Sequence, residues 1–291
     1  MKDSFQMKKI IFALAVAFSL LANAQQLPEL SMYLQNDFIL NPAIAGTKNY
    51  IPFSISHRSQ WVNFNNSPTT QVASIHGGVN EKVGIGLSLI NHEAGPTGMM
   101  SAQFSYAYHL KLNDKIKFSF GLAPMIIQHS LNKSKLVLDE QNDNTFNRIN
   151  GKTLVADLNA GIYVYSEKYF VGISVPQLAG NKLRMGDELF KERLKRYYLL
   201  HAGYDYPVNE KYTLTPSILL KVIETGAPAQ TDVNIKATYN KLIWGGLTYR
   251  FSTSSYFNEA AIISIGMQSS GSHELFISYH IRSKLTQEII Q

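Results

Sequence analysis

The sequence predicts an all-β fold: an antiparallel outer-membrane β-barrel of about 12–14 strands with a cleaved N-terminal signal peptide. Three observations predict it. The chain opens on an export signal and carries no later apolar run long enough for a spanning helix. Two-residue alternation of apolar and polar residues recurs along the rest. Tight turns alternate with longer loops.

The signal comes first. Lys8 and Lys9 form a charged start, Ile10 to Leu21 is continuously apolar, and Ala22-Asn23-Ala24 is an A-x-A cleavage site before Gln25. Met7 is an alternative start, since Met1 to Gln6 adds nothing that a signal needs. The apolar run is shorter than the about 20 residues of a transmembrane helix. The expected organisation is a signal peptide over 1–24, a periplasmic or plug-like segment over 25–49, and a transmembrane barrel over 50–291. Residues 25–49 contain Asn36-Asp37 and the Asn41-Pro42 turn. They read as an irregular or short helical segment at the periplasmic rim or inside the lumen, not as a membrane strand.

The alternation is clear in several segments. Val83, Ile85, Leu87 and Leu89 alternate with Gly84, Gly86 and Ser88; Val233, Ile235 and Ala237 alternate with Asp232, Asn234 and Lys236. Thirteen strands are expected, at 50–57, 70–77, 82–92, 98–110, 116–130, 154–165, 169–176, 197–207, 212–223, 230–239, 242–251, 260–268 and 273–281. Every second connection is short, with Asn80-Glu81, Asn113-Asp114-Lys115, Ser166-Glu167-Lys168, Asn209-Glu210-Lys211 and Asn240-Lys241 as turn residues. Between them lie longer connections at 58–69, 91–97, 131–153, 177–196, 224–229 and 252–259. A Greek-key sandwich would mix the lengths, whereas a bacterial barrel puts short turns on one rim and loops on the other. Tyrosines and tryptophans near strand ends, namely Tyr50, Trp61, Tyr106, Tyr108, Tyr163, Tyr165, Tyr169, Tyr197, Tyr198, Tyr204, Tyr206, Tyr212, Tyr239, Trp244, Tyr249 and Tyr256, are expected to form interfacial girdles.

Composition excludes several functions. Without Lys2, Asp3, Lys8 and Lys9 the net charge falls from +6 to +4, too mild to argue for nucleic acid. Absence of cysteine removes disulfides, thiolate metal sites and cysteine nucleophiles. His92-Glu93 and His273-Glu274 are the adjacent His–acid pairs, expected on opposite rims and without triad spacing, so no enzyme is expected. Asp139, Asp143 and Asn144 in the 131–153 loop read as turn formers before they read as calcium ligands. Gly84-x-Gly86 sits inside a strand and is no dinucleotide fingerprint. No cofactor or metal is expected. The charged run from Lys182 to Arg196, with Leu183, Leu189, Phe190 and Leu194, is expected to form a short amphipathic helix in an outer loop.

The most distinctive stretch is 41–70. It runs Asn41-Pro42-Ala43-Ile44-Ala45-Gly46, then Arg58-Ser59-Gln60-Trp61, then Ser67-Pro68-Thr69-Thr70. Arg58, Gln60, Trp61, Pro68 and Thr69 are candidate partner-binding residues, because Arg and Trp concentrate interface energy; the alternative is a loop anchored at the membrane interface by Trp61. Asn41, Pro42, Ala43, Gly46, Gly95 and Pro96 are candidate structural-motif residues.

These motifs resemble those of the PorP/SprF-like outer-membrane proteins of the type IX secretion and gliding machinery. The resemblance continues through Gly95-Pro96, Tyr106-Ala107-Tyr108, Gly172-Ile173-Ser174-Val175-Pro176-Gln177-Leu178 and Leu242 to Arg250. It implies a non-enzymatic barrel in outer-membrane lipid. Its implied partners are type IX secretion components and a secreted adhesin or its C-terminal domain. A general diffusion channel or small-molecule transporter is the second reading. The resemblance also implies fourteen strands. This chain offers thirteen, either because Thr286 to Gln291 are too few for another span or because Gly271-Ser272-His273-Glu274 marks the last strand after an internal deletion. An odd count leaves the two terminal strands parallel and their seam incomplete.

Overall fold

The computed structural model describes residues 33, 36–60, 66–136, 151–184, 191–224, 228–252, 260–268 and 273–282. Thirteen strands build one wall: β1 (Phe53–Ser59), β2 (Thr69–Gly78), β3 (Val83–Ala94), β4 (Thr97–Lys111), β5 (Lys117–Leu131), β6 (Lys152–Tyr165), β7 (Tyr169–Val175), β8 (Tyr197–Tyr204), β9 (Tyr212–Ile223), β10 (Gln230–Tyr239), β11 (Ile243–Ser252), β12 (Ala260–Gln268) and β13 (His273–Arg282). A two-residue extension, Tyr206–Pro207, continues β8 along β9.

Each strand pairs antiparallel with its neighbours in sequence, so the sheet is an up-and-down meander. The order returns on itself. β1 meets β13 in a parallel pairing at Phe53–His273 and Ser54–Glu274, and every wall strand thereby has two neighbours. The expected all-β antiparallel sheet and its strand count are present, and the terminal strands run parallel as an odd count requires.

The two faces invert the pattern of a soluble barrel. On β4, Ser101, Gln103, Ser105 and His109 point inward and are buried, while Met100, Phe104, Tyr106 and Leu110 point outward and are exposed. Ile85, Leu87 and Leu89 on β3, Phe120, Leu122 and Ile126 on β5, and Val233 and Ile235 on β10 continue this outer band. Apolar surface of that extent around a closed wall is a surface for hydrocarbon. Tyr106, Tyr169, Tyr204, Tyr206, Tyr212 and Tyr239 face outward near the short-turn rim, and Tyr198 and Tyr249 near the opposite rim. Four expected girdle residues do not: Tyr163, Tyr165, Tyr197 and Trp244 face the lumen, because their place in the alternation puts them on the inner face. Trp61 and Tyr256 lie outside the described residues.

The short turns share one chemistry. The side-chain oxygens of Asn80, Asn113 and Asn209 each accept backbone N–H groups two and three residues on, at 2.8–2.9 Å. The Ser166 hydroxyl does the same in the β6–β7 turn. Asn240 and Lys241 both take positive φ, which gives the twist of the tight turn closed by the Leu242 N–H on the Tyr239 carbonyl.

On the long-loop rim two expectations change. The connection over 91–97 is a tight turn of Gly95 and Pro96, since β3 and β4 run far enough to pair Ala94 with Thr97. Gly95 has φ 58, which suits glycine there. The amphipathic helix over 183–196 is a small hairpin, Lys182–Arg184 paired with Lys191–Arg193, whose tip lies outside the described residues.

Candidate functional site

The lumen is where the distinctive residues converge. Asp37–Ile39 and Pro42–Ile44 form two short 3-10 turns inside the barrel, near the short-turn rim. Asn41 organises the second. Its Oδ1 accepts the Ala43 N–H at 2.9 Å, capping the turn, and Pro42 follows as the first helical residue. Its Nδ2 donates to the Ile162 carbonyl at 2.9 Å and lies 3.4 Å from that of Ile173, tying the turn to β6 and β7.

Wall residues receive the rest of the motif. The Ser119 and Ser174 hydroxyls donate to the carbonyls of Ala43 and Leu40, each at 2.7 Å. His109 Nε2 lies 2.8 Å from the Ala45 carbonyl, and Tyr165 Oη lies 3.0 Å from His109 Nδ1. A carbonyl only accepts, so the proton sits on Nε2 and the tyrosine donates to Nδ1. The Gly46 N–H donates to His76 Nδ1 at 3.2 Å. Gly46 has φ +79, a conformation that other residues rarely adopt.

Four wall glycines make room. A Cβ on Gly84 would stand 2.0 Å from the Ala45 carbonyl oxygen, one on Gly121 2.4 Å from Ala43 N, and one on Gly161 2.1 Å from Asn41 Oδ1. One on Gly172 would stand 2.9 Å from Asn41 Nδ2. The backbone of the segment therefore touches the backbone of β3 and β5 directly, and the Asn41 amide touches that of β6 and β7. Phe38, Ala43, Ile44 and Ala45 complete the contact with Ala107 and Tyr163.

A second anchor lies across the lumen. Tyr33 Oη lies 2.9 Å from both Asp232 Oδ2 and Asn234 Oδ1. The carboxylate is the stronger acceptor for its single proton. Arg250 Nε and Nη2 hold Asp232 bidentately at 2.7 and 2.6 Å, with Arg250 2 % and Asp232 0 % exposed. Burial first, and then the Asp232 charge, push the Tyr33 phenol well above its ordinary value, so it acts as a neutral donor. Asn36 donates to Ser74 Oγ at 2.7 Å between the two anchors.

Toward the loop rim a cavity of about 90 Å3 remains, lined by Leu40, Ser88, Gln103, Gln177, Lys221 and Arg250 among others. The described parts of the next connection, 176–184 and 191–196, fold over it. Asp157 Oδ1 accepts from Ala179 N, and Asn159 Oδ1 from Gln177 N. Leu194, with Leu183 beside it, packs on Met99, Met125, Ile127 and Val155. The Gly172 to Leu178 stretch thus serves both sides: Gly172 and Ser174 face the plug segment, and Gln177 starts the cover.

Of the candidate partner-binding residues, Arg58, Gln60, Pro68 and Thr69 lie together at the long-loop rim, where Gln60 N donates to the Pro68 carbonyl at 2.9 Å and Ser59 pairs with Thr69. Trp61 lies outside the described residues, as do Asp139, Asp143 and Asn144. Gly95 and Pro96 join neighbouring loops: Gly95 N donates to the Asn66 carbonyl at 3.1 Å, and the Pro96 carbonyl accepts from Asn132 N at 2.7 Å. His92 on β3 has Thr70 Oγ1 2.8 Å from its Nδ1. Sequence reasoning did not single out Tyr33, Gly121 or Gly161, and it named Asp232, Gly84 and Gly172 without giving them a role in the lumen. The available signal was glycine or a carboxylate at an inward position of an alternating strand.

No curated protein matches this chain. Residues 22–288 match the family described as the type IX secretion system membrane protein PorP/SprF. That is a secretion-system component and not a known enzyme family. An antiparallel wall of thirteen strands with an apolar exterior, and a match over nearly the whole length, place the chain in the PorP/SprF family of type IX secretion system membrane proteins.

Proposed function

We propose that this protein is an outer-membrane barrel that binds and anchors a secreted surface protein or another component of the type IX machinery, and that it is not a diffusion channel. The occupied lumen is the observation that carries this reading. The segment from Asn36 to Gly46 sits on five wall strands through directional hydrogen bonds, and residues 176–183 and 191–196 pack toward the other end. A general pore needs an aqueous path, which this filling opposes. Short turns face the periplasm and loops face outward in such barrels, so the rim group of Arg58, Gln60, Pro68 and Thr69 would face a surface partner.

Two measurements on the tagged mature protein test this. In planar bilayers the protein gives no steady open-state conductance. On mild-detergent purification it brings down a secreted protein or type IX component. Steady porin-like conductance without a bound protein would instead support the channel or transporter reading.

A further inference from the structure

The seam carries the shortest ladder between neighbouring wall strands among the described residues. β1 matches β2 along its whole length, and β13 matches β12 over nine residue pairs. Between β1 and β13 the ladder consists of two pairs, Phe53–His273 and Ser54–Glu274. β1 continues five residues past Ser54, and β13 eight past Glu274. Both strands start at the short-turn rim, so the ladder is there and the seam opens toward the loop rim. Ile55, Ser56, His57 and Ser59 have described register partners on β2 alone.

We infer that this open part of the seam accepts an extended β-strand from the anchored partner. The inference rests on the anchoring reading and gives it a place. Backbone groups at membrane depth need partners, and an edge in hydrocarbon is costly. The direction of the guest is fixed. β1 and β13 are parallel to each other, so one strand antiparallel to both satisfies both edges and brings the wall to an even count. The guest enters from the loop rim and runs toward the short-turn rim. Its outward side chains must be apolar, because Ile55 on β1 and the outer faces of the wall are lipid-exposed. Its inward side chains must be small or polar, because Ser54 and the lumen are. A strand of alternating character that adds to an open edge is a common mode of peptide capture. Tyr33 and residues 36–46 are excluded as the guest, since they are committed to the lumen.

The test places a photoreactive residue singly at Ile55, His57 and Ser59, all exposed on β1, and separately at Gln60 on the rim. The full chain is expressed in its native membrane and the adducts are mapped to the residue. The expected result is adducts from 55, 57 and 59 on a type IX partner at residues two apart and in reverse order. Hydrogen exchange on the unsubstituted protein checks this without variants: amides at 55–57 exchange at least tenfold faster in the isolated barrel than in its complex. Adducts to residues 283–291, adducts without the reverse two-residue step, or full protection in the isolated barrel would each overturn the seam proposal. Partner adducts from Gln60 with none from 55, 57 and 59 would overturn the seam and keep the anchoring reading. No partner adduct from any of the four positions would overturn both.

Discussion

Asn41 satisfies three backbone groups with one amide, and it does so where the chain turns into the wall. Replacing it by alanine leaves the buried Ala43 N–H without its acceptor, at about 1–3 kcal/mol, and removes the donor to two part-buried carbonyls. The Asn41→Ala protein should therefore melt at lower temperature in detergent, while its barrel circular dichroism at 20 °C (roughly room temperature) is unchanged. Gly121→Val attacks the same contact from the wall, because even a Cβ would stand 2.5 Å from the Pro42 carbonyl carbon. Its expected result is release of the segment, read as new protease cleavage between residues 36 and 47 with the wall intact. The buried pair across the lumen behaves differently. Arg250→Met leaves Asp232 without its cation, and breaking a buried pair costs about 3–5 kcal/mol. Asp232→Asn combined with Arg250→Met should recover much of that loss in a thermal melt. Tyr33 adds a pH dependence. Its folded value is raised, so its contribution is complete below the ordinary tyrosine value of about 10 and falls as pH rises past it. Protease access to residues 36–47 should accordingly increase above that pH in wild type and lose this pH step in Tyr33→Phe. At this scale the sequence marked Asn41, Pro42 and Gly46 as a rigid turn. It did not reveal what the turn met, because the receiving carbonyls at 162 and 173 lie more than a hundred residues away.

Local chemistry explains which elements were legible. Strand positions followed from two-residue alternation, and turn positions from Asn and Ser side chains that compete for nearby backbone N–H groups. Loop-rim elements were less legible. Leu183, Leu189, Phe190 and Leu194 suggest a helix on spacing alone, yet Leu183 and Leu194 are ends of a folded-over connection that meets Met99 and Met125. Gly95-Pro96 looked like part of a loop because the strands beside it are longer than their alternation reveals. Trp244 and Tyr163 were assigned to the girdle by residue type, when the alternation already placed them inward. The plug segment itself yields a graded prediction. Deleting residues 25–40 removes Tyr33, Asn36 and Phe38 but leaves Asn41 to Gly46 in the glycine cradle. Deleting 25–46 removes both anchors. Conductance in planar bilayers should rise modestly for the first deletion and strongly for the second. Equal conductance from both would mean that the Asn41–Gly46 turn contributes nothing to closure.

At the scale of the whole molecule, strand parity governs how the barrel behaves. Thirteen strands were countable in the sequence, and a parallel meeting of the first and last follows from the count alone. The length of that pairing was not countable, because register between distant strands depends on shear around the ring and not on any local pattern. Two residue pairs hold β1 to β13, against ten between β2 and β3. A closed sheet opens where its ladder is shortest, so unfolding should begin at the seam. The chain has no cysteine, which makes this testable with a single introduced pair. Ser54→Cys with Glu274→Cys joins register partners at the seam, and Ser101→Cys with Ile127→Cys joins register partners between β4 and β5. Disulfides typically stabilise by about 2–4 kcal/mol, chiefly by restricting states in which the joined residues separate. If the seam opens first, the seam disulfide slows unfolding in denaturant markedly, and the β4–β5 disulfide leaves the unfolding rate nearly unchanged because that ladder is still intact when the barrier is crossed. Equal retardation by both would mean that the wall opens as one unit and that parity leaves no weak line.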